Sequence, residues 1–177
     1  MFFSQAIYRA RQFLLALRAR ALTADELAPA RAILSPAQMN LFLQMQFSEQ
    51  RHALNVLKTV QSRGETDLDL LTAALLHDIG KIRVPLRLWE RVVIVLGQIF
   101  FPSRVAAWGD SHPQGWRRPF VVAEQHPAWG GELASKAGAS PKTVALIRYH
   151  QSTNPAQVGD PAEENLLRIL QAADHQN

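Results

Sequence analysis

The stretch Asp67–Lys81, DLDLLTAALLHDIGK, decides the fold. From Leu68 to Leu76 it is apolar on nearly every face, the pattern of a helix buried on all sides. Gly80 reads as its C-terminal stop, so His77 and Asp78 finish a core helix. A carboxylate in such surroundings costs on the order of several kcal/mol unless it is protonated, hydrogen-bonded, paired with a cation or bound to a metal. Asp78 therefore requires a partner. Neighbouring positions diverge by about 100° on an ideal helix, so His77 and Asp78 can share one ion only near the helix end, between their two directions.

Outward from this segment, apolar residues return at three- and four-residue spacing and alternating strand patterns are hard to find, which predicts an all-α fold. Ser35-Pro36, Ser140-Pro141 and Asp160-Pro161 each place a capping oxygen before a proline at the first helical position, and Ser48 reads as the cap of a helix ending near Arg63-Gly64. Residues 4 to 20 read as a basic amphipathic helix, with Ile7, Phe13, Leu14 and Leu17 on one side. It is expected to dock on the domain, with an anionic membrane as the alternative. Between Lys81 and Gln125 the prolines Pro85, Pro102, Pro113 and Pro119 and the tryptophans Trp89, Trp108 and Trp116 mark a long insertion. It is expected to roof the site and to offer aromatic surface for a nucleobase. Its run VVIVLGQIFF (residues 92–101) is about half the roughly 20 residues a bilayer span needs. Burial beneath the insertion is expected, with peripheral membrane contact as the alternative.

Other residues join His77 and Asp78. His52 borders the stripe Ala53, Val56, Leu57 and Val60; Asp174 continues the row of Leu167 and Leu170; His150 follows Leu146 and Ile147 on one face. His126 precedes Pro127 at an expected helix start. Singly, each histidine could be a satisfied core residue, and Asp78 could pair with an arginine. Together, the imidazoles and carboxylates on separate helices favour one polar centre, for which a metal is the economical explanation.

The composition is compatible with this. The 177 residues are 47% hydrophobic and 19% charged, suited to one domain. With no cysteine, an ion must be held by nitrogen and oxygen, and a reducing, cytoplasmic setting is expected. The first 21 residues lack the unbroken apolar region of a secretory signal. The net charge of +4 is not gathered into a cluster, so no specific nucleic-acid binding is expected.

The histidine in QRHALNV, the doublet in LLHDIGK and the distant aspartate in LQAAD resemble the HD-domain superfamily of metal-dependent phosphohydrolases, from about Ser48 to Asp174. The resemblance implies a single-domain HD-type helical bundle at residues 48–177, carrying the insertion at about 82–125, with residues 1–47 a helical region packed on it. It assigns a first divalent ion to His52, His77, Asp78 and Asp174. HPAWGGELA and IRYHQ are similar to the variant with two further histidines, so His126 and His150 would hold a second ion bridged through Asp78. That variant often has a histidine pair where this chain has His150-Gln151, and the glycine-tyrosine-proline signature of cyclic-dinucleotide hydrolases is absent.

Lys81 matches a lysine that would neutralise a substrate phosphate, with a solvated helix-end cation as the alternative. His112 and His175 match nothing in the pattern. Asp78 and Lys81 are the expected catalytic residues. The ligand types suit manganese, iron, zinc, cobalt or nickel better than magnesium. The expected activity is hydrolysis of a small phosphomonoester or phosphodiester, such as a nucleotide; the alternative is a catalytically silent HD-type regulatory or ligand-binding module.

Overall fold

The helix α4 (Leu68–Leu76) runs through the main hydrophobic core. Asp67 caps it by accepting from the Asp69 and Leu70 amides, and every residue from Leu70 to Leu76 is buried. Each fully buried leucine stabilises the fold by about 1.5–3 kcal/mol, so α4 is held by its surroundings and not by local propensity. The computed structural model describes residues 20–177, and the helix expected over residues 4 to 20 lies outside them but for its last residue.

Among the described residues there are helices and turns and no strand. The other helices are α1 (Ala24–Ile33), α2 (Pro36–Gln44), α3 (Phe47–Ser62), α5 (Leu88–Phe100), α6 (Pro102–Gly109), α7 (Arg118–Lys136), α8 (Pro141–Tyr149) and α9 (Pro161–Gln176), of which α1, α3, α8 and α9 pack directly on α4. The main core draws Leu27, Met39 and Phe42 from the first two helices into one cluster with Val56, Leu75, Ile147 and Leu170. The all-α fold read from the periodicity is the one observed.

Three of the four expected helix starts hold. The side chains of Ser35, Ser140 and Asp160 accept from backbone amides at the starts of α2, α8 and α9, each before a proline. Ser48 is no cap, because α3 already begins at Phe47. Only Met45 and Gln46 separate α2 from α3. The Gln50 amide closes that junction by donating to the carbonyls of Leu43 and Met45.

Gly80 is not the stop expected of it. The helix ends at Leu76, and Asp78 leaves helical geometry at φ −93°, ψ 3° before a 3-10 turn over Ile79–Arg83. Glycines with positive φ occur at Gly64, Gly115, Gly138 and Gly159. What Gly80 provides is clearance: a β-carbon there would lie 1.9 Å from the His126 carbonyl oxygen and 2.7 Å from the Gly130 nitrogen. The turn after α4 thus presses directly on the middle of α7.

His126 sits within that helix, not at its start, and Pro127 follows it inside the same helix. The last residues of the expected insertion, from Arg118, therefore belong to α7. The rest folds as α5 and α6 against α7, over a small second core of Leu86, Ile94 and Val122.

The burial expected of VVIVLGQIFF does not occur. Ile94 and Gly97 are buried, but Val92, Leu96, Ile99, Phe100 and Phe101 are exposed. The cause is an inverted arrangement: Glu90 and Arg91 point inward, to Arg118 and Glu49 respectively. Of the insertion's tryptophans, expected to offer surface to a nucleobase, Trp89 and Trp116 are exposed. Trp108 packs against Phe101, Trp116 and Phe120 at centroid distances of 5.7, 5.2 and 4.9 Å.

Candidate metal centre

Five helices bring their polar side chains to one place. His52 comes from α3, His77 and Asp78 from the end of α4, His126 from α7, His150 from the end of α8 and Asp174 from α9. His77, Asp78, His126 and His150 are buried, whereas His52 and Asp174 keep 19% and 22% of their side chains exposed. The centre therefore reaches solvent along its His52–Asp174 edge.

The buried imidazoles share one arrangement. The Nδ1 of His77 donates to the Ala74 carbonyl at 3.1 Å, and that of His150 to the Ile147 carbonyl at 2.8 Å. His126 donates to the carbonyls of Val122 and Ala123 at 2.9 and 3.0 Å. The last contact explains the internal proline: Pro127 has no N–H for the Ala123 carbonyl four residues earlier, and the preceding imidazole takes that acceptor. With each Nδ1–H committed to backbone, Nε2 is the ring nitrogen left to face the centre, and it offers a lone pair wherever the imidazole is neutral. The Nε2 atoms of His77, His126 and His150 are buried and have no hydrogen-bond partner.

These orphaned atoms converge on carboxylates. His126 Nε2 lies 3.2 Å and His150 Nε2 3.9 Å from Asp78 Oδ1, while His77 Nε2 lies 3.7 Å from Asp78 Oδ2 and 3.5 Å from Asp174 Oδ1. The 3.2 Å approach lacks hydrogen-bond alignment; a neutral imidazole there would set a lone pair against a carboxylate oxygen, a repulsion that a cation between them relieves. His52 Nε2 is 2.8 Å from Asp174 Oδ1. The donors form two groups, His52, His77 and Asp174 on one side and Asp78, His126 and His150 on the other, with the atoms of each within 4.8 Å of one another.

The electrostatics fit a cation-binding centre. Burial by itself would lower the His77 pKa, but the charges of Asp78 and Asp174 outweigh it and raise the value to about 9. Burial and the neighbouring His77 and His126 push His150 down to about 3, so it stays neutral and available as a ligand. Burial opposes ionisation of Asp78, yet Lys81 and His77 hold it well below the ordinary carboxylate range. Asp174 is also lowered, with burial overcome by His77 and His52.

Lys81 Nζ sits 2.6 Å from Asp78 Oδ2 with 15% of its side chain exposed. It is thus an ion-pair partner of the centre rather than a solvated helix-end cation. His112 and His175 are exposed, and the Nδ1 of His175 donates to its own helix at Gln171. Gln151 is exposed beside buried His150.

The HD-domain family model matches residues 50–175, most of the chain and all six of these residues. The chain belongs to the HD-domain family. HD domains bind divalent metals and are in general metal-dependent phosphohydrolases. No curated protein and no solved structure matches this HD domain.

The expected ligand sets share Asp78 as the carboxylate bridging the two ions. Its Oδ1 stands with His126 and His150, and its Oδ2 turns towards His77, so it lies between the two groups. The positioning roles of Pro127 and Gly80 were not read from the sequence. A histidine-proline pair inside the apolar periodicity of Phe120 to Ala134 was the available signal for the first. Nothing local marked the second, because the clash that Gly80 avoids is with a residue 46 positions away.

Proposed function

We propose that this HD domain is a metal-dependent hydrolase of a small phosphomonoester or phosphodiester, such as a nucleotide, with His52, His77, Asp78, His126, His150 and Asp174 as its metal ligands. The observation that carries the proposal is the set of three buried, unpartnered Nε2 atoms around Asp78. Leaving such groups without partners costs about 1–3 kcal/mol each, and backbone carbonyls behind metal-binding histidines are the usual means of orienting them. Nitrogen and carboxylate donors without thiolate suit manganese, iron, zinc, cobalt or nickel.

A bound divalent cation would supply Lewis acidity towards a phosphoryl oxygen and a lowered pKa for water. The chain's own residues do the rest. Asp78 holds negative charge in a buried setting and Asp174 at the partly exposed edge, and the backbone-bound Nδ1 atoms fix the direction of the buried rings. The partly exposed His52–Asp174 edge is the side from which a phosphate group would approach. Lys81, now bonded to Asp78 Oδ2, is within reach to turn its ammonium to a substrate phosphate when that oxygen is otherwise engaged.

The test is a phosphatase and nucleotidase panel with added Mn²⁺ and metal content verified. Turnover of at least one ester, lost in Asp78→Ala with helicity retained, is expected. No turnover from metal-loaded protein would overturn the proposal. The competing reading, a silent regulatory module, draws on the Lys81–Asp78 ion pair, which neutralises the carboxylate without any metal. Protein purified without chelator and found free of stoichiometric metal would favour it.

A further inference from the structure

We propose that the α5–α6 arm binds the surface of an anionic lipid bilayer, lying in the interface without crossing it. Helix α5 has its amphipathicity turned inside out. Its charged residues, Glu90 and Arg91, are directed inward and paired with Arg118 and Glu49, and both acids are buried. Its solvent side presents Trp89, Val92, Leu96, Ile99 and Phe100, at the three- and four-residue spacing of one helical face. Surface helices of soluble domains place these residue types the other way round. At 13 residues, α5 is about 20 Å long, and no helix among the described residues is long and apolar enough to cross a membrane.

The charge around this face selects the partner. From Val84 to Arg118 the exposed ionisable residues are Arg87, Arg104, Asp110, His112 and Arg117. Arg87 precedes α5, and Arg104 stands on α6 just beyond Phe101. Arg117 lies over the exposed Trp116 ring at 5.2 Å. None of these three arginines makes an ion pair among the described residues, whereas Arg83, Arg91 and Arg118 do. An apolar strip flanked at both ends by arginine and tryptophan matches the acyl boundary and anionic headgroups of a bilayer. A second copy of the same arm would instead bring like charges together.

The proposal is independent of the hydrolase reading, and co-sedimentation of the full chain with vesicles tests it. Wild-type protein should partition onto phosphatidylcholine/phosphatidylglycerol vesicles, with a blue-shifted tryptophan emission, and should bind pure phosphatidylcholine far less. Leu96→Glu/Ile99→Glu, and separately Phe100→Asp, alter exposed positions. They should keep wild-type helicity and melting while losing at least about tenfold in partitioning. Arg104→Glu/Arg117→Glu should lose the preference for anionic vesicles. Absence of wild-type binding would overturn the proposal. So would wild-type binding retained in the apolar variants, which would place the contact elsewhere. A wild-type dimer that ignores vesicles and is made monomeric by Leu96→Glu/Ile99→Glu would assign the face to self-association instead.

Discussion

Gly80 and the His126 carbonyl stand so close that a β-carbon on Gly80 would fall 1.9 Å from the oxygen. The contact sets the distance between the end of α4, which carries Asp78, and the middle of α7, which carries an orphaned imidazole. It is a packing constraint placed next to the candidate chemistry.

Gly80→Ala must therefore push the turn and α7 apart. Overpacking of this kind costs about 1–3 kcal/mol, a lowered melting temperature in calorimetry. Because the displaced wall carries His126, metal content should fall as well. A variant with wild-type melting and stoichiometry would show that α7 yields without moving the site.

The two donor groups predict separable ions. His126→Ala should remove the ion held with Asp78 and His150 while leaving one with His52, His77 and Asp174; His52→Ala should do the reverse. Metal analysis after gel filtration reads this as a drop of one equivalent from two. A stoichiometry of one in wild-type protein would instead mean a single shared ion.

With its pKa near 9 in the metal-free protein, His77 carries a proton at neutral pH. Metal binding must displace that proton. Titration calorimetry at pH 7 in buffers of different ionisation enthalpy should show proton release that fades as the pH is raised past 9. Buffer-independent heats at pH 7 would contradict the assignment of His77 as a ligand.

The same shifts fix how the metal-free protein responds to pH. The folded pKa of His77 is raised from 6.5 to about 9, so its contribution is complete below 6.5 and is lost as the pH climbs through 9. His150 is lowered from 6.5 to about 3, so the unfolded chain takes up a proton first as the pH falls below 6.5, and stability declines towards 3. From these two groups, stability should peak near pH 6.5 and fall on both sides. Asp78 and Asp174, lowered from 3.8, add to the loss only at strongly acid pH. Melting temperatures of chelator-treated protein across this range would show the peak, and a flat profile would count against it.

Lys81 competes for Asp78 Oδ2. Lys81→Met should tighten metal binding, by roughly tenfold for a removed neighbouring cation, and should lower turnover if the ammonium serves the substrate phosphate. Tighter metal with unchanged turnover would restrict Lys81 to balancing charge.

The helical class, the buried α4 and the caps at Ser35, Ser140 and Asp160 were legible in the chain because period, burial pattern and capping chemistry are local. The six candidate ligands were legible too, as polar residues set against apolar helix faces. The sequence could not show that the turn at Gly80 abuts α7, or which way α5 turns its apolar side. Both depend on distant partners: the His126 carbonyl set against Gly80, and Arg118 and Glu49 drawing the charges of α5 inward. Short-range periodicity records which residues share a helix face; only the packed structure decides what that face meets.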